Sequence, residues 1–361
     1  MSRGHARLGL ALAALLVAPS GGTAFDHGAD VSSLAKLEAS GARFRDARGE
    51  ADALTLLHRA GVDAVRLRIW HTPADSLAAL PAMLALARRA RQLDMRLLLD
   101  LHFSDTWADP AHQAPPAAWR GLAFEPLADS VERWSRETVA AFVAQGTPPA
   151  LVQVGNEVDH GMLWDSGRLE GGDRAAWDRF ATLLSRAAAG VRAAGTTEAI
   201  GVLVHVAAGG DSNACARFFD RLRARGVRFD AIGVSYYPMW HGRLAALRGN
   251  LASLSRRYGK PVFVVETAYP WTLRWFDDEH NVIGDDRALL PGAPATPAGQ
   301  SRFVSGVRAA LADLPGGRGA GVYWWEPAWI AAPGSRSPWE NCALFDSSGS
   351  ALPALRELGT P

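Results

Sequence analysis

One pattern recurs eight times along this 361-residue chain: a short apolar run followed by an amphipathic helical stretch. The runs are Phe25–Val31, Ala64–Trp70, Arg96–Phe103, Leu151–Glu157, Ile200–Val206, Ala231–Tyr237, Val262–Thr267 and Gly321–Pro327. Between and after them lie helical Ala51–Ala60, Leu77–Leu93, Pro126–Gln145, Asp173–Ala194, Ser212–Arg225, Leu244–Tyr258, Pro297–Leu311 and a short closing piece near Pro353–Leu358. Strict strand–helix alternation implies a parallel sheet, and eight strands close a (β/α)8 TIM barrel. A doubly wound sheet fits less well, because no strand runs into a Gly-x-Gly-x-x-Gly turn. No linker, low-complexity tract or other repeat divides the chain, so residues 25–361 read as one domain.

The first 24 residues read differently. Arg3, His5 and Arg7 precede the apolar run Leu8–Ala18, Pro19–Gly22 breaks it, and Gly22-Thr23-Ala24 offers small residues for cleavage. That run is too short to span a bilayer, so residues 1–24 read as a secretory signal peptide and the mature chain as secreted or periplasmic. A net charge of +1 gives no reason to expect nucleic acid or a membrane surface as partner. Two cysteines, Cys215 and Cys342, follow strands that are not neighbours in such a barrel and read as unpaired. Nothing calls for a partner subunit, so a monomer is expected.

Chemistry in this fold gathers at the carboxyl ends of the strands. The fourth run, Leu-Val-Gln-Val-Gly-Asn-Glu, stops on Glu157 with Asn156 before it, and the seventh stops on Glu266. Two carboxylates suffice for glycoside hydrolysis, one donating a proton to the leaving oxygen while the other attacks or activates water. Glu326, also at a strand end, competes for either role. Arg66 and Arg68 share one face of the second strand and need a carboxylate nearby, Glu266 being the obvious one. A carboxyl held by arginine and tyrosine donors stays ionised, whereas one beside its leaving group in apolar surroundings stays protonated. On that basis Glu157 is expected as acid/base and Glu266 as nucleophile, with Asn156 placed to bond a sugar hydroxyl. His102, Asp105, Tyr236 and Tyr237 crowd the same strand ends. Trp107, Trp325 and Trp329 are candidates for shaping sugar subsites, in a chain holding 13 tryptophans against five tyrosines.

Longer strings narrow the reading. His102-Phe103-Ser104-Asp105-Thr106-Trp107-Ala108-Asp109-Pro110 resembles the segment after strand three in glycoside hydrolase family 53. Gly28-Ala29-Asp30-Val31-Ser32, Ser235-Tyr236-Tyr237-Pro238, Glu266-Thr267-Ala268-Tyr269-Pro270-Trp271-Thr272 and Tyr323-Trp324-Trp325-Glu326-Pro327-Ala328-Trp329 match it in order. The resemblance covers essentially the whole mature chain. It implies a retaining endo-β-1,4-galactanase acting on the galactan of pectic type I arabinogalactan, with Glu157 and Glu266 in the roles above. Phe103 departs from it, standing where the family usually has tyrosine. Some bacterial members bind calcium after strand seven through Asp, His and Asn. Here that loop reads Asp277-Asp278-Glu279-His280-Asn281, with compressed spacing. No cofactor is required by the reading, and an exposed acidic loop is the plainer alternative to calcium. Three rivals stay open: another β-glycanase of the same clan acting on mannan, xylan or glucan, a non-catalytic carbohydrate-binding barrel, and a metal hydrolase built on Asp100, His102 and Asp105.

Overall fold

The computed structural model describes residues 25–169, 173–195 and 199–360. The signal peptide expected at 1–24 lies outside them. Eight parallel strands close a barrel: β1 (Asp26–Asp30), β2 (Ala64–Ile69), β3 (Arg96–Leu101), β4 (Leu151–Val154), β5 (Gly201–Val206), β6 (Ala231–Tyr236), β7 (Val262–Thr267) and β8 (Gly319–Trp324). Each pairs with its neighbours in sequence, and β8 returns to β1 with Asp26 opposite Gly321 and Ala29 opposite Trp324.

Around the barrel run α1 (Leu34–Ala39), α2 (Ala53–Arg59), α3 (Leu80–Gln92), α4 (Phe124–Ala144), α5 (Arg174–Arg192), α6 (Ser212–Ala224), α7 (Pro238–His241), α8 (Leu244–Tyr258), α9 (Pro297–Ala312) and α10 (Pro353–Gly359). Several begin on a side chain that takes an orphan amide of the first turn. Asp52 caps α2 through Thr55 N, Asp211 caps α6 through Asn213 and Ala214 N, and Thr296 caps α9 through Gly299 N. The helices bury their apolar faces on the outer side of the strands.

Inside the barrel the side chains form layers. Ala64, Leu98, Leu203, Ala231, Phe263 and Ala320, with Leu151 against them, fill the lower end. Further along the same faces, one step on for Arg66, Asp100, Gln153 and His205 and two for Ser235, the residues turn polar, all of them buried. An apolar floor thus supports a charged upper layer that opens onto the strand ends. At the floor Gly28 is required, since a Cβ there would sit 2.2 Å from the Tyr323 ring.

Two expected strands stop short. β4 ends at Val154 rather than Glu157, because Gly155 takes φ 90° and Glu157 itself takes φ 46°. β8 ends at Trp324, and Glu326 is likewise left-handed at φ 48°. The first strand–helix unit also carries more than expected, with α1 and a hairpin of Phe44–Asp46 against Gly49–Ala51 lying between β1 and α2.

Candidate active site

Arg66 organises the upper layer. From β2 its guanidinium reaches Asp30 Oδ2 and Asp100 Oδ2, each at 2.7 Å, Asn156 Oδ1 at 2.9 Å and Glu266 Oε2 at 3.3 Å. A buried cation is tolerable only with such partners, and the carboxylates in turn depend on it. Burial alone would raise the Asp100 carboxyl, but Arg66, with His102 behind it, holds it down at about 2. His102 Nδ1 accepts from Ala108 N at 3.1 Å, which leaves Nε2 to donate to Asp100 at 2.9 Å.

Glu157 and Glu266 arrive at this layer by different backbone devices. Beyond β4, Gly155 allows the chain to turn, and a Cβ on it would meet Val158 at 2.6 Å. Glu157 follows in a left-handed conformation that costs about 1–3 kcal/mol, a strain found mostly at functional sites. On β7, Phe263 and Val265 both face the barrel floor, so simple alternation would turn Glu266 outward. A bulge corrects this: Val264 pairs with Val234 but Glu266 pairs with Ser235, leaving Val265 unmatched. The same Ser235 hydrogen-bonds Glu157 Oε1 at 2.6 Å. The two glutamates therefore share one wall, three strands apart around the ring.

Their surroundings differ. Burial raises the Glu157 carboxyl well above its usual range and the neighbouring charge of Glu266 raises it further. Burial also raises Glu266, but Arg66 and the Tyr237 hydroxyl, which donates to Oε1 at 2.8 Å, pull it back. Of the two, Glu157 keeps its proton to higher pH.

Glu326 is set apart by its burial: it is 1% exposed against 9% for each of the other two. It accepts Ser33 N at 3.0 Å and Ser33 Oγ at 2.8 Å, and lies 3.8 Å from Arg68. The two arginines thus divide between carboxylates, Arg66 to Glu266 and Arg68 to Glu326. Arg68 is also clasped between the Trp70 and Trp107 rings, at 4.1 and 4.0 Å.

A cavity of about 270 Å³ opens above the pair. Arg66, Arg68, His102, Trp107, Asn156, Glu157, Tyr237, Glu266, Trp325 and Trp329 all line it. Two expected residues do not. Tyr236, one position from Tyr237, points to the outer face, stacks on Phe303 and donates to Gly242 O. Asp105 is spent on loop backbone, accepting from Thr72 N and Ala117 N. Asn156 is more committed than expected: its oxygen takes Arg66 and its nitrogen donates to Ala108 O at 2.7 Å.

The sequence reading missed Trp240 and Trp339, which also line the cavity. Trp240 is 59% exposed, packed edge-on against Tyr237. Its place on α7, just past the polar end of β6, was a usable signal. Trp339 comes from the long excursion after β8, where no pattern points inward. A larger basin of about 500 Å³ lies elsewhere, among Arg192, Arg223, Arg228 and Lys260, but it holds a single carboxylate, Asp230, and no indole.

Cys215 and Cys342 are both buried and free. Asp277 already accepts Glu279 N and Ser337 N, and among the described residues no three His, Cys, Asp or Glu side chains converge as a metal site. No helix among the described residues is long and apolar enough to cross a membrane.

Known proteins share this architecture from end to end. The family model for glycosyl hydrolase family 53 matches residues 26–358. An arabinogalactan endo-beta-1,4-galactanase of Cellvibrio japonicus (strain Ueda107) is 36% identical, covering 92% of this chain and 90% of its own. An endo-beta-1,4-galactanase of Bacillus subtilis (strain 168) is 33% identical over 90% of this chain and 75% of its own. The solved GH53 catalytic domain of Ignisphaera aggregans superposes with a TM-score of 0.86 at 34% identity, covering 94% of this chain and 97% of that one. A family match running from β1 to α10, through both glutamates, leaves no part of the barrel to another lineage: the chain belongs to glycosyl hydrolase family 53 and is a glycoside hydrolase.

Proposed function

We propose that this chain is a retaining endo-β-1,4-galactanase that cleaves the galactan of pectic type I arabinogalactan by double displacement. The observation that carries the proposal is the unequal surroundings of two carboxylates in one indole-lined cleft. Glu266, kept accessible to ionisation by Arg66 and Tyr237, attacks the anomeric carbon as Glu157 gives its proton to the departing glycosidic oxygen. The resulting galactosyl ester of Glu266 is then hydrolysed by a water whose proton passes to Glu157, restoring both groups. Asn156, Arg66, Arg68 and His102 hold the floor of the reacting subsite, and Trp107, Trp325 and Trp329 present ring faces to the sugars. The choice of galactose rests on the galactanases among the relatives. Double displacement draws on the two carboxylates alone, so neither calcium nor another cofactor enters it.

The same reading makes residues 1–24 a cleaved signal peptide, residues 25–361 a single catalytic domain, and the enzyme a monomer acting outside the cytoplasm. The test is hydrolysis of de-arabinosylated galactan beside mannan, xylan and carboxymethylcellulose, with Glu157→Gln and Glu266→Gln in parallel. Galacto-oligosaccharides from the wild type, and loss of that release in both variants, is the expected result. Preferred cleavage of another polymer overturns the substrate, and an active Glu266→Gln overturns the nucleophile.

A further inference from the structure

Four polar groups behind Glu157 stand in line, and their chemistry leaves one arrangement of protons. Arg66 Nη2 lies 2.9 Å from Asn156 Oδ1, and a guanidinium only donates, so that atom is the amide oxygen. His205 Nδ1 lies 3.0 Å from the same oxygen, which also accepts Gln153 Nε2 at 3.2 Å, and since a bare nitrogen there would set lone pair against lone pair, Nδ1 carries hydrogen. The Glu157 backbone N–H, 3.4 Å from that nitrogen, finds no lone pair there. His205 is wholly buried, and burial together with Arg66 keeps its imidazole neutral, so Nε2 is bare. Ser235 Oγ lies 2.9 Å from Nε2 and supplies its single hydrogen to it. Towards Glu157 Oε1, 2.6 Å away, the same oxygen then has only lone pairs. The contact is a hydrogen bond only if Glu157 is the donor.

We infer that Ser235 and His205 form a hydrogen-bond chain, anchored on Asn156 and Arg66, that holds the transferable proton on Glu157. They are positioning residues, and the inference rests on the reading of Glu157 as acid/base. When Glu157 releases its proton to the leaving oxygen, the Ser235 hydroxyl stays on His205 Nε2 and turns only a lone pair to the carboxylate, which favours the proton's return. When Glu157 takes a proton from the attacking water, its bond to the Ser235 oxygen forms again. Only that one proton is exchanged, and His205 keeps its tautomer throughout. The charges facing Glu157 are Glu266 at the end of β7, Asp159 on its own loop and Asp109 after β3, all acidic. Those facing His205 are Arg66, Asp100, His102 and His241. Neither set supplies a cation beside Glu157 that would draw its proton off.

The sign of one shift decides the matter. Ser235→Ala removes the acceptor for the Glu157 proton, so the alkaline limb of kcat/KM on galactan moves to lower pH by about one unit. Ser235→Thr, which keeps a hydroxyl, restores the wild-type limb. If Ser235 instead served as a donor to ionised Glu157, the limb in Ser235→Ala would move to higher pH; that shift, or an unmoved limb, overturns the inference. Should Ser235→Ala fail to fold, nitrogen NMR of His205 in the wild type gives the same answer. A neutral ring protonated at Nδ1 supports the chain, and one protonated at Nε2 overturns it. Glu157→Gln with added azide separates the two levels. Full activity without azide removes the acid/base reading itself, whereas azide rescue beside an unmoved Ser235→Ala limb removes only the chain.

Discussion

Tyr237 shows how much one hydroxyl decides. It donates to Glu266 Oε1 at 2.8 Å from a wholly buried ring, and with Arg66 offsets the burial that would otherwise protonate the nucleophile. Tyr237→Phe removes that donor, so the Glu266 carboxyl rises and the acidic limb of kcat/KM moves to higher pH. A hydrogen bond to a charged group is worth about 1.5–3 kcal/mol, or roughly one to two pH units. A pH profile of the variant checks this. Its neighbour Tyr236 shows where sequence reading falls short. Adjacent residues on a strand face opposite ways, yet two consecutive tyrosines at a strand end both read as lining the cleft. Applied strictly, the same alternation would have sent Glu266 outward, and only the bulge at Val265, invisible in the sequence, brings it in.

At the scale of elements, the apolar runs and helix periodicity carried most of the barrel. β7 and α8 fall where their composition places them, Val262–Thr267 and Leu244–Tyr258. The misses are short pieces, α1 and the hairpin before α2, which are too brief for periodicity to register. Strand ends were overrun where the chain leaves the sheet through left-handed residues, as at Glu157 and Glu326, because φ is not written in residue type outside glycine. Two elements yield tests. In β1, Gly28→Ala drives a methyl into the Tyr323 ring and disturbs its bond to Asp26; denaturant unfolding is expected to show a loss of about 1–3 kcal/mol. On α7, Trp240 offers an exposed ring beside the catalytic cleft. Trp240→Ala is expected to raise KM for the polymer by about tenfold with little change in kcat, the equivalent of about 1.4 kcal/mol of stacking. Initial rates on galactan measure it.

For the whole molecule, the site is a cost that the barrel carries. Glu157, Glu266 and Glu326 all sit where burial raises their carboxyls above the usual range. At these three carboxyls the folded state keeps protons that the unfolded chain releases from about pH 4.5 upward, which lowers stability as pH rises, whereas His102, His205 and His241, kept neutral by burial, act with the opposite sign below about pH 6.5. Asp100, held at about 2, shares that opposite sign, but its contribution is lost only in stronger acid. Measured from pH 4 to 8, the unfolding midpoint of Glu157→Gln is expected to rise relative to that of the wild type as pH rises, because the variant removes one raised carboxyl from the sum. That variant is then more stable than the enzyme it inactivates, as expected where function and stability compete.

The identity of the nucleophile is open to one direct measurement. An activated 2-deoxy-2-fluoro galactobioside slows the second displacement and leaves the sugar on the attacking carboxylate, where peptide mass spectrometry locates it. The expected result is a single glycosylated peptide whose modified residue is Glu266. A label on Glu157 or Glu326, or turnover without any covalent adduct, contradicts it.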